Sequence, residues 1–144
     1  MNIKHLSLLS KPYGFDNKEI NRICKDFNIE IPQYFISFIK EYGGASTDEF
    51  IYNEKFLVNF FLPLQSDKNS SICKGVQVYK QRYGVLEWIP FAIDNGGWTF
   101  CIALKENIKN QIWIDRYISG DLPIFDYVAP SFGDFINALK TEDE

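Results

Sequence analysis

The fold is decided by one stretch of the chain, WIPFAIDNGGWTFCIAL at residues 88–104. Apolar side chains follow a period of two on both sides of Asp94-Asn95-Gly96-Gly97, which predicts two strands joined by a turn. Asn95-Gly96 tolerates the positive φ angles that a type I′ turn requires at both central positions. A turn at Gly96-Gly97 instead changes the cross-strand partners by two residues, so it preserves the same inner face.

The two faces of this predicted hairpin differ in side-chain size. With a two-residue turn, the predicted inner face carries Ile89 opposite Ile102, Phe91 opposite Phe100 and Ile93 opposite Trp98. The second face carries mostly small side chains apart from Trp88, and the next strand adds Trp113 and Asp115 to this face. Either another segment covers this face and both tryptophans are ordinary packing residues, or the face is partly exposed and they mark a contact surface.

The rest of the chain alternates helical and strand patterns. Period-two alternation over 88–104 and 111–117 predicts a meander of three strands, and β-forming residues at 56–64 predict another strand. Residues 45–54 are interpreted as a loop with a short strand, and 121–130 as a proline-containing connection. Four segments show helical spacing: one after an N-cap at Asp16, one from Pro32 to Gly43-Gly44, one at 67–83 that Gly75 weakens, and one at 131–140 with a capping box of Ser131 and Asp134.

These patterns together predict an α+β fold. We expect a single domain over residues 1–144, with a central antiparallel sheet and about four helices packed against it. The composition fits this class, because 46% of the residues are hydrophobic and 17% are aromatic. No internal repeat or change of composition indicates a second domain.

Charge and hydropathy exclude several classes of function. A net charge of −4 and a pI near 5.0 provide no basic surface for phosphates, so direct nucleic-acid binding is not predicted. No apolar run approaches the roughly 20 residues of a membrane-spanning helix, and residues 1–13 do not resemble a signal peptide. The three cysteines are widely separated and are interpreted as small buried hydrophobes. We therefore expect a cytoplasmic protein.

Candidate chemistry is sparse. His5 is the only histidine, and no nucleotide-binding, metalloprotease or serine-hydrolase motif occurs. Paired acids such as Asp94 and Asp115 are the remaining catalytic option, although an Asp in a turn commonly binds its own backbone. We predict no enzymatic activity, no metal and no cofactor. The predicted partner-binding residues lie on the second face and at the turn: Trp88, Asp94, Asn95, Trp113 and Asp115.

Two blocks of sequence resemble the SUKH superfamily, which contains the fungal Smi-Knr cell-wall-assembly regulators and many bacterial immunity proteins. The first runs from IPQYF at residues 31–35 to YGG at residues 42–44, and the second is WIPFA followed by DNGG at residues 88–97 and by Phe100. Their order and spacing, with the final helical segment, extend the resemblance over nearly the whole chain. Trp98 departs from the pattern, because many members carry a smaller or different residue after the glycines.

The resemblance implies a function in binding. It implies an α+β fold without known catalytic residues and, in bacteria, an immunity protein that binds and neutralises a cognate polymorphic toxin, often a nuclease. The expected partner is then a toxin domain. The fungal branch implies an alternative, a regulatory or scaffold protein in cell-wall or glucan synthesis.

Overall fold

The computed structural model describes residues 12–66, 70–116 and 125–140, so His5 lies outside the described residues. Within them, six strands form one antiparallel sheet in the order of the sequence. The strands are Ser46–Tyr52 (β1), Phe56–Phe61 (β2), Trp88–Ile93 (β3), Thr99–Ala103 (β4), Ile112–Asp115 (β5) and Phe125–Ala129 (β6). The α-helices are Asn17–Phe27 (α1), Gln33–Tyr42 (α2), Ile72–Tyr83 (α3) and Phe132–Asn137 (α4). The predicted α+β class, with helices on a central antiparallel sheet, is confirmed.

Three of the predicted helix starts follow from the chemistry of the residue at the start of the helix. Asp16 caps α1, because its Oδ1 accepts hydrogen bonds from the backbone N–H groups of Lys18 at 2.8 Å and Glu19 at 3.1 Å. Ser131 caps α4 in the same way, through the N–H of Asp134 at 3.1 Å. Pro32 precedes the first residue of α2, where its missing N–H costs nothing.

The main core lies against one face of the sheet and includes buried side chains of α1, α2 and α4 and, from the first half of α3, Ile72 and Val76. Its centre is a group of buried phenylalanine rings. Phe132 of α4 has ring centroids 5.2 Å from Phe35 and 5.0 Å from Phe38, both on α2, and 5.1 Å from Phe91 on β3. Edge-to-face packing of this kind adds to the free energy from burying the apolar area.

Helix α3 covers the second face of the sheet. It approaches so closely that a Cβ atom on Gly75 would lie 2.4 Å from Cγ of Pro90. Beneath it a smaller core forms around Tyr79, Trp88, Cys101 and Ala103, and Trp88 is only 8% exposed. At Trp88 the structure therefore shows the first of the two alternatives, in which another segment covers the second face. That segment is α3.

The predicted type I′ turn is wrong. Asp94 and Trp98 close the loop, with the Asp94 N–H donating to the Trp98 carbonyl at 2.9 Å, and only Gly97 has a positive φ, of 86°. Oδ1 of Asp94 accepts from the N–H groups of Gly96 and Trp98 at 2.8 Å each, and these bonds stabilise a three-residue loop. The local side-chain bonds of Asp94 thus outweigh the Asn-Gly preference.

A β-bulge between Pro90 and Ala92 also changes the register. Ile89 still pairs with Ile102, as predicted, but Phe100 now lies opposite Ala92, and Ile93 opposite Thr99. As a result Ile93 is half-buried and Trp98 is exposed, whereas the other four residues of the predicted inner face are buried.

Other boundaries differ from the predictions. The segment 45–54, expected as a loop with a short strand, forms the seven-residue β1, and the proline-containing connection at 121–130 contains β6. The strand expected at 56–64 ends at Phe61, and α3, expected from residue 67, begins at Ile72 after Ser71. The third meander strand, expected at 111–117, spans Ile112–Asp115. Residue 117 lies outside the described residues. No helix among the residues described is both long and apolar enough to cross a membrane.

The three cysteines are free thiols. Cys101 is fully buried, as predicted, whereas Cys24 and Cys73 are half-buried and pack against the main core.

Candidate functional site

A cleft of about 500 Å³ lies between α3 and the sheet, beside the β3–β4 hairpin. On its helix side stand Lys74, Val78 and Arg82, which follow one another at intervals of four residues and so share a face of α3. Thr99 and Asp115 line the sheet side. We call this surface the α3 cleft.

Asp115 is the most unusual residue in the α3 cleft, because it carries an ionisable carboxyl group and yet is only 6% exposed. Tyr79 donates its hydroxyl hydrogen bond to Oδ2 of Asp115 at 2.8 Å. Oδ1 is also buried, and no donor among the described residues reaches it. Burial raises the pKa of Asp115, while the hydrogen bond from Tyr79 and the positive charge of Arg82 oppose this rise.

The neighbours of Asp115 are not activated for catalysis. The Tyr79 hydroxyl lies 3.4 Å from Sγ of Cys101, and both groups are buried. Burial is the largest cause that raises the pKa of the Tyr79 hydroxyl and of the Cys101 thiol far above their usual ranges. Both therefore stay protonated near neutral pH, and a protonated thiol is a poor nucleophile.

The raised pKa of Asp115 predicts a pH dependence of stability. The native state binds the Asp115 proton more tightly than the unfolded state, whose carboxyl titrates near the ordinary value of 3.8. This contribution to the free energy of unfolding is present at low pH and is lost as the pH rises through the raised pKa. The stability of wild type relative to Asp115→Asn should therefore fall as the pH rises above the ordinary value of 3.8 and through the raised pKa. Urea unfolding of both proteins along this series measures the difference, and a constant difference would contradict the prediction.

A second, smaller pocket of about 310 Å³ lies at the tip of the hairpin. We call it the tip pocket, and its lining includes Asp94, Asn95, Trp98 and Arg116. Trp98 is 36% exposed, and the guanidinium carbon of Arg116 lies 5.0 Å from its ring centroid. Arg116 also forms an ion pair with Asp126 at 2.9 Å. An exposed indole supported by a guanidinium group is typical of residues that contribute strongly to protein interfaces.

Four aromatic side chains of β3, β5 and β6 pack against one another, and we call them the aromatic cluster: Trp88, Trp113, Phe125 and Tyr127. Trp88 stacks on Phe125 with a centroid distance of 4.1 Å, and Trp113 packs edge-on against Trp88 at 6.0 Å. Trp113 is half-buried, and its neighbour Tyr127 is exposed. The buried Trp88 thus supports Trp113, which reaches the surface.

The five residues predicted to bind a partner are therefore distributed over three places. Asp94 and Asn95 line the tip pocket, and Asp115 lines the α3 cleft. Trp88 and Trp113 belong to the aromatic cluster. Because Asp94 and Asp115 line different concave surfaces, the structure does not bring them together in one pocket as a catalytic pair would require.

Sequence reasoning missed the helix side of the α3 cleft and the exposure of Trp98. The spacing of Lys74, Val78 and Arg82 was a usable sign, because three such residues on one helical face cannot all point into a core. Among the residues that the structure describes, no group of His, Cys, Asp or Glu side chains is arranged to hold a metal ion.

Comparison with known protein families gives a match over most of the chain. The profile of the SMI1/KNR4 family (SUKH-1) matches residues 14–138, a range that includes every helix and strand described above. No match is found among curated proteins. Since the matched range covers most of the chain, and the α+β fold agrees with the resemblance, this protein belongs to the SMI1/KNR4 family (SUKH-1).

Proposed function

We propose that this chain is an immunity protein, which binds a cognate polymorphic toxin domain in the cytoplasm and neutralises it without catalysis. Family membership supports the class of function. The observation that carries the proposal is the exposed Trp98, stacked with Arg116 next to Asn95 at the hairpin tip. Large aromatic and guanidinium groups of this kind contribute much of the binding free energy in protein complexes.

The chemistry of the buried groups favours binding over catalysis. Tyr79 and Cys101 stay protonated, and Asp94 uses its carboxylate to hold the hairpin loop. In the proposal, Asn95, Trp113 and Asp115 contact the toxin domain directly. Asp94 and Trp88 act by holding Asn95 and Trp113 in place.

The test is to express the chain together with the toxin domain that is encoded beside its gene. We expect it to restore growth and to purify as a complex with that domain. Trp98→Ala should weaken the complex by about 30-fold or more, because truncating an interface Trp commonly costs about 2 kcal/mol. Isothermal titration calorimetry gives the two dissociation constants.

A matched control is Tyr34→Ala. Tyr34 has nearly the same exposure as Trp98, 37%, but lies on α2 against Phe132. Its replacement should leave the affinity within about twofold, provided that circular dichroism shows a folded protein. If the neighbouring toxin domain neither binds nor is neutralised, the immunity function is wrong. Altered wall composition on deletion of the gene would then favour a regulator of cell-wall synthesis.

A further inference from the structure

The exposed Trp98 is held by side chains from two neighbouring strands. Thr99 of β4 pairs with Asp115 of β5. The next residues outward, Trp98 and Arg116, therefore face each other on the same side of the sheet. Asp126 lies on β6, and the register of β5 with β6 places it on that same side, diagonal to Arg116. Trp98, Arg116 and Asp126 thus form a row that crosses the ends of three strands.

The guanidinium group of Arg116 joins the two ends of this row. Its Nη1 lies 2.9 Å from Oδ2 of Asp126, and its central carbon lies 5.0 Å from the ring centroid of Trp98. Nε of Arg116 is buried, and no described residue accepts a hydrogen bond from it. Among the residues that the structure describes, Asp126 is therefore the acceptor that holds this guanidinium group beside the indole.

Loss of the Asp126 carboxylate should release Arg116 from Trp98. A guanidinium group that lies against an aromatic ring without an acceptor gains hydrogen bonds by turning into water, and the long arginine stem allows this movement. The side chain of Arg116 is 27% exposed, so water is within its reach. The indole of Trp98 would then lose its cation–π contact and gain rotational freedom. Such freedom in the unbound protein weakens binding, because a partner must order the side chain.

We propose that Asp126 is a positioning residue for partner binding, which holds Arg116 against Trp98 and so fixes the indole in the orientation that the partner meets. This inference rests on the proposed immunity function, since the toxin domain is the partner. Asp126 lies outside the lining of the tip pocket, so it acts through Arg116. Its effect on binding is smaller than that of Trp98, because partly exposed ion pairs and cation–π contacts each stabilise little.

Binding of the neighbouring toxin domain measures this effect. We expect Asp126→Asn to weaken the complex by about fivefold in isothermal titration calorimetry, from the lost ion pair and the cost of ordering the indole. In a protein that already carries Arg116→Gln, the same substitution should change the affinity by less than about twofold, because the group that Asp126 holds is gone.

The matched control is Glu87→Gln, which removes a carboxylate from another ion pair. Glu87 lies 3.7 Å from Lys105, and its side chain is 36% exposed, close to the 45% of Asp126. It precedes Trp88, at the end of β3 away from the hairpin tip. The net charge changes by the same amount in both variants, and Glu87→Gln should bind the toxin domain within about twofold of wild type. Thermal unfolding confirms that each variant is folded.

A second measurement needs no partner. Each of the three tryptophans has one indole N–H group, so isotope-labelled protein gives separate NMR signals for Trp88, Trp98 and Trp113, and Trp98→Phe identifies that of Trp98. We expect the heteronuclear NOE of the Trp98 indole to fall in Asp126→Asn, which reports faster motion of the ring on the ps–ns timescale. The values for Trp88 and Trp113 should not change, whereas a general loosening of the sheet would lower all three.

The two measurements separate this inference from the immunity function. If the Trp98 indole is as rigid in Asp126→Asn as in wild type, the positioning inference is wrong, whatever the toxin domain does. If the indole loosens but the affinity is unchanged, or if the effects of Asp126→Asn and Arg116→Gln simply add, the positioning inference is wrong while the immunity function stands. If wild type binds no toxin domain, the immunity function fails, and the role of Asp126 in binding fails with it.

Discussion

Phe132→Ala is expected to lower the free energy of unfolding by about 3–5 kcal/mol. The ring is fully buried and packs edge-on against Phe35, Phe38 and Phe91 at 5.0–5.2 Å, so its removal leaves a cavity in the middle of the main core. Helix α4 has only six residues and cannot form without such packing, since isolated helices of this length are unstable in water. Urea denaturation followed by circular dichroism measures the loss.

The control for this prediction is Tyr127→Ala, which also removes an aromatic ring but from an exposed position on β6. Its effect should stay within about 1 kcal/mol, because the ring buries less area and leaves no cavity. Equal losses for the two variants would contradict the assignment of Phe132 to the centre of the core.

Gly75→Ala is expected to destabilise the protein by about 1–3 kcal/mol, although alanine is the better helix former. Helix propensity alone predicts a gain of about 1 kcal/mol, so the sign of the effect decides between propensity and packing. The new Cβ atom would lie 2.4 Å from Cγ of Pro90, and a proline ring cannot turn aside. Helix α3 must therefore move away from the sheet.

A double-mutant cycle with Pro90→Ala checks the cause. Removing the ring should recover part of the loss from Gly75→Ala, so the two free-energy changes should not add. Gly96→Ala is the matched control, because its φ is not positive and its Cβ would meet only Asp94 Oδ1, at 3.6 Å. Additive effects of Gly75→Ala and Pro90→Ala would show that their contact does not limit the approach of α3.

Much of the fold was predictable because its causes are local. Asp16 and Ser131 start their helices with side chains that bind the first N–H groups, and these contacts need no distant partner. Ile89 and Ile102 pair as predicted, since alternation along a strand determines which side chains share a face. The resemblance to the family rests on the same local features, which are a helix stop at two glycines and a hairpin.

The candidate site was less predictable, because it depends on where helices pack. Its acceptor, Asp115, was among the predicted residues, but its burial arises only when Tyr79 and the rest of α3 lie over the sheet. Strand β6 was missed for a related reason. The segment 121–130 contains prolines and lacks a strict alternation, and β6 forms at the edge of the sheet by pairing with β5.

The amino-acid pattern was sufficient for the α+β class, for the helix ends and for the existence of the hairpin, since each follows from the propensity and spacing of neighbouring residues. The pattern alone was not sufficient to predict the hairpin loop and its register, because two hydrogen bonds to Asp94 and a bulge before Ala92 outweighed the Asn-Gly preference. Packing of α3 on Pro90 then buried Trp88 and Asp115 and opened the α3 cleft beside them. These are contacts between residues far apart in the chain, whose free energy depends on a close fit that no local pattern records.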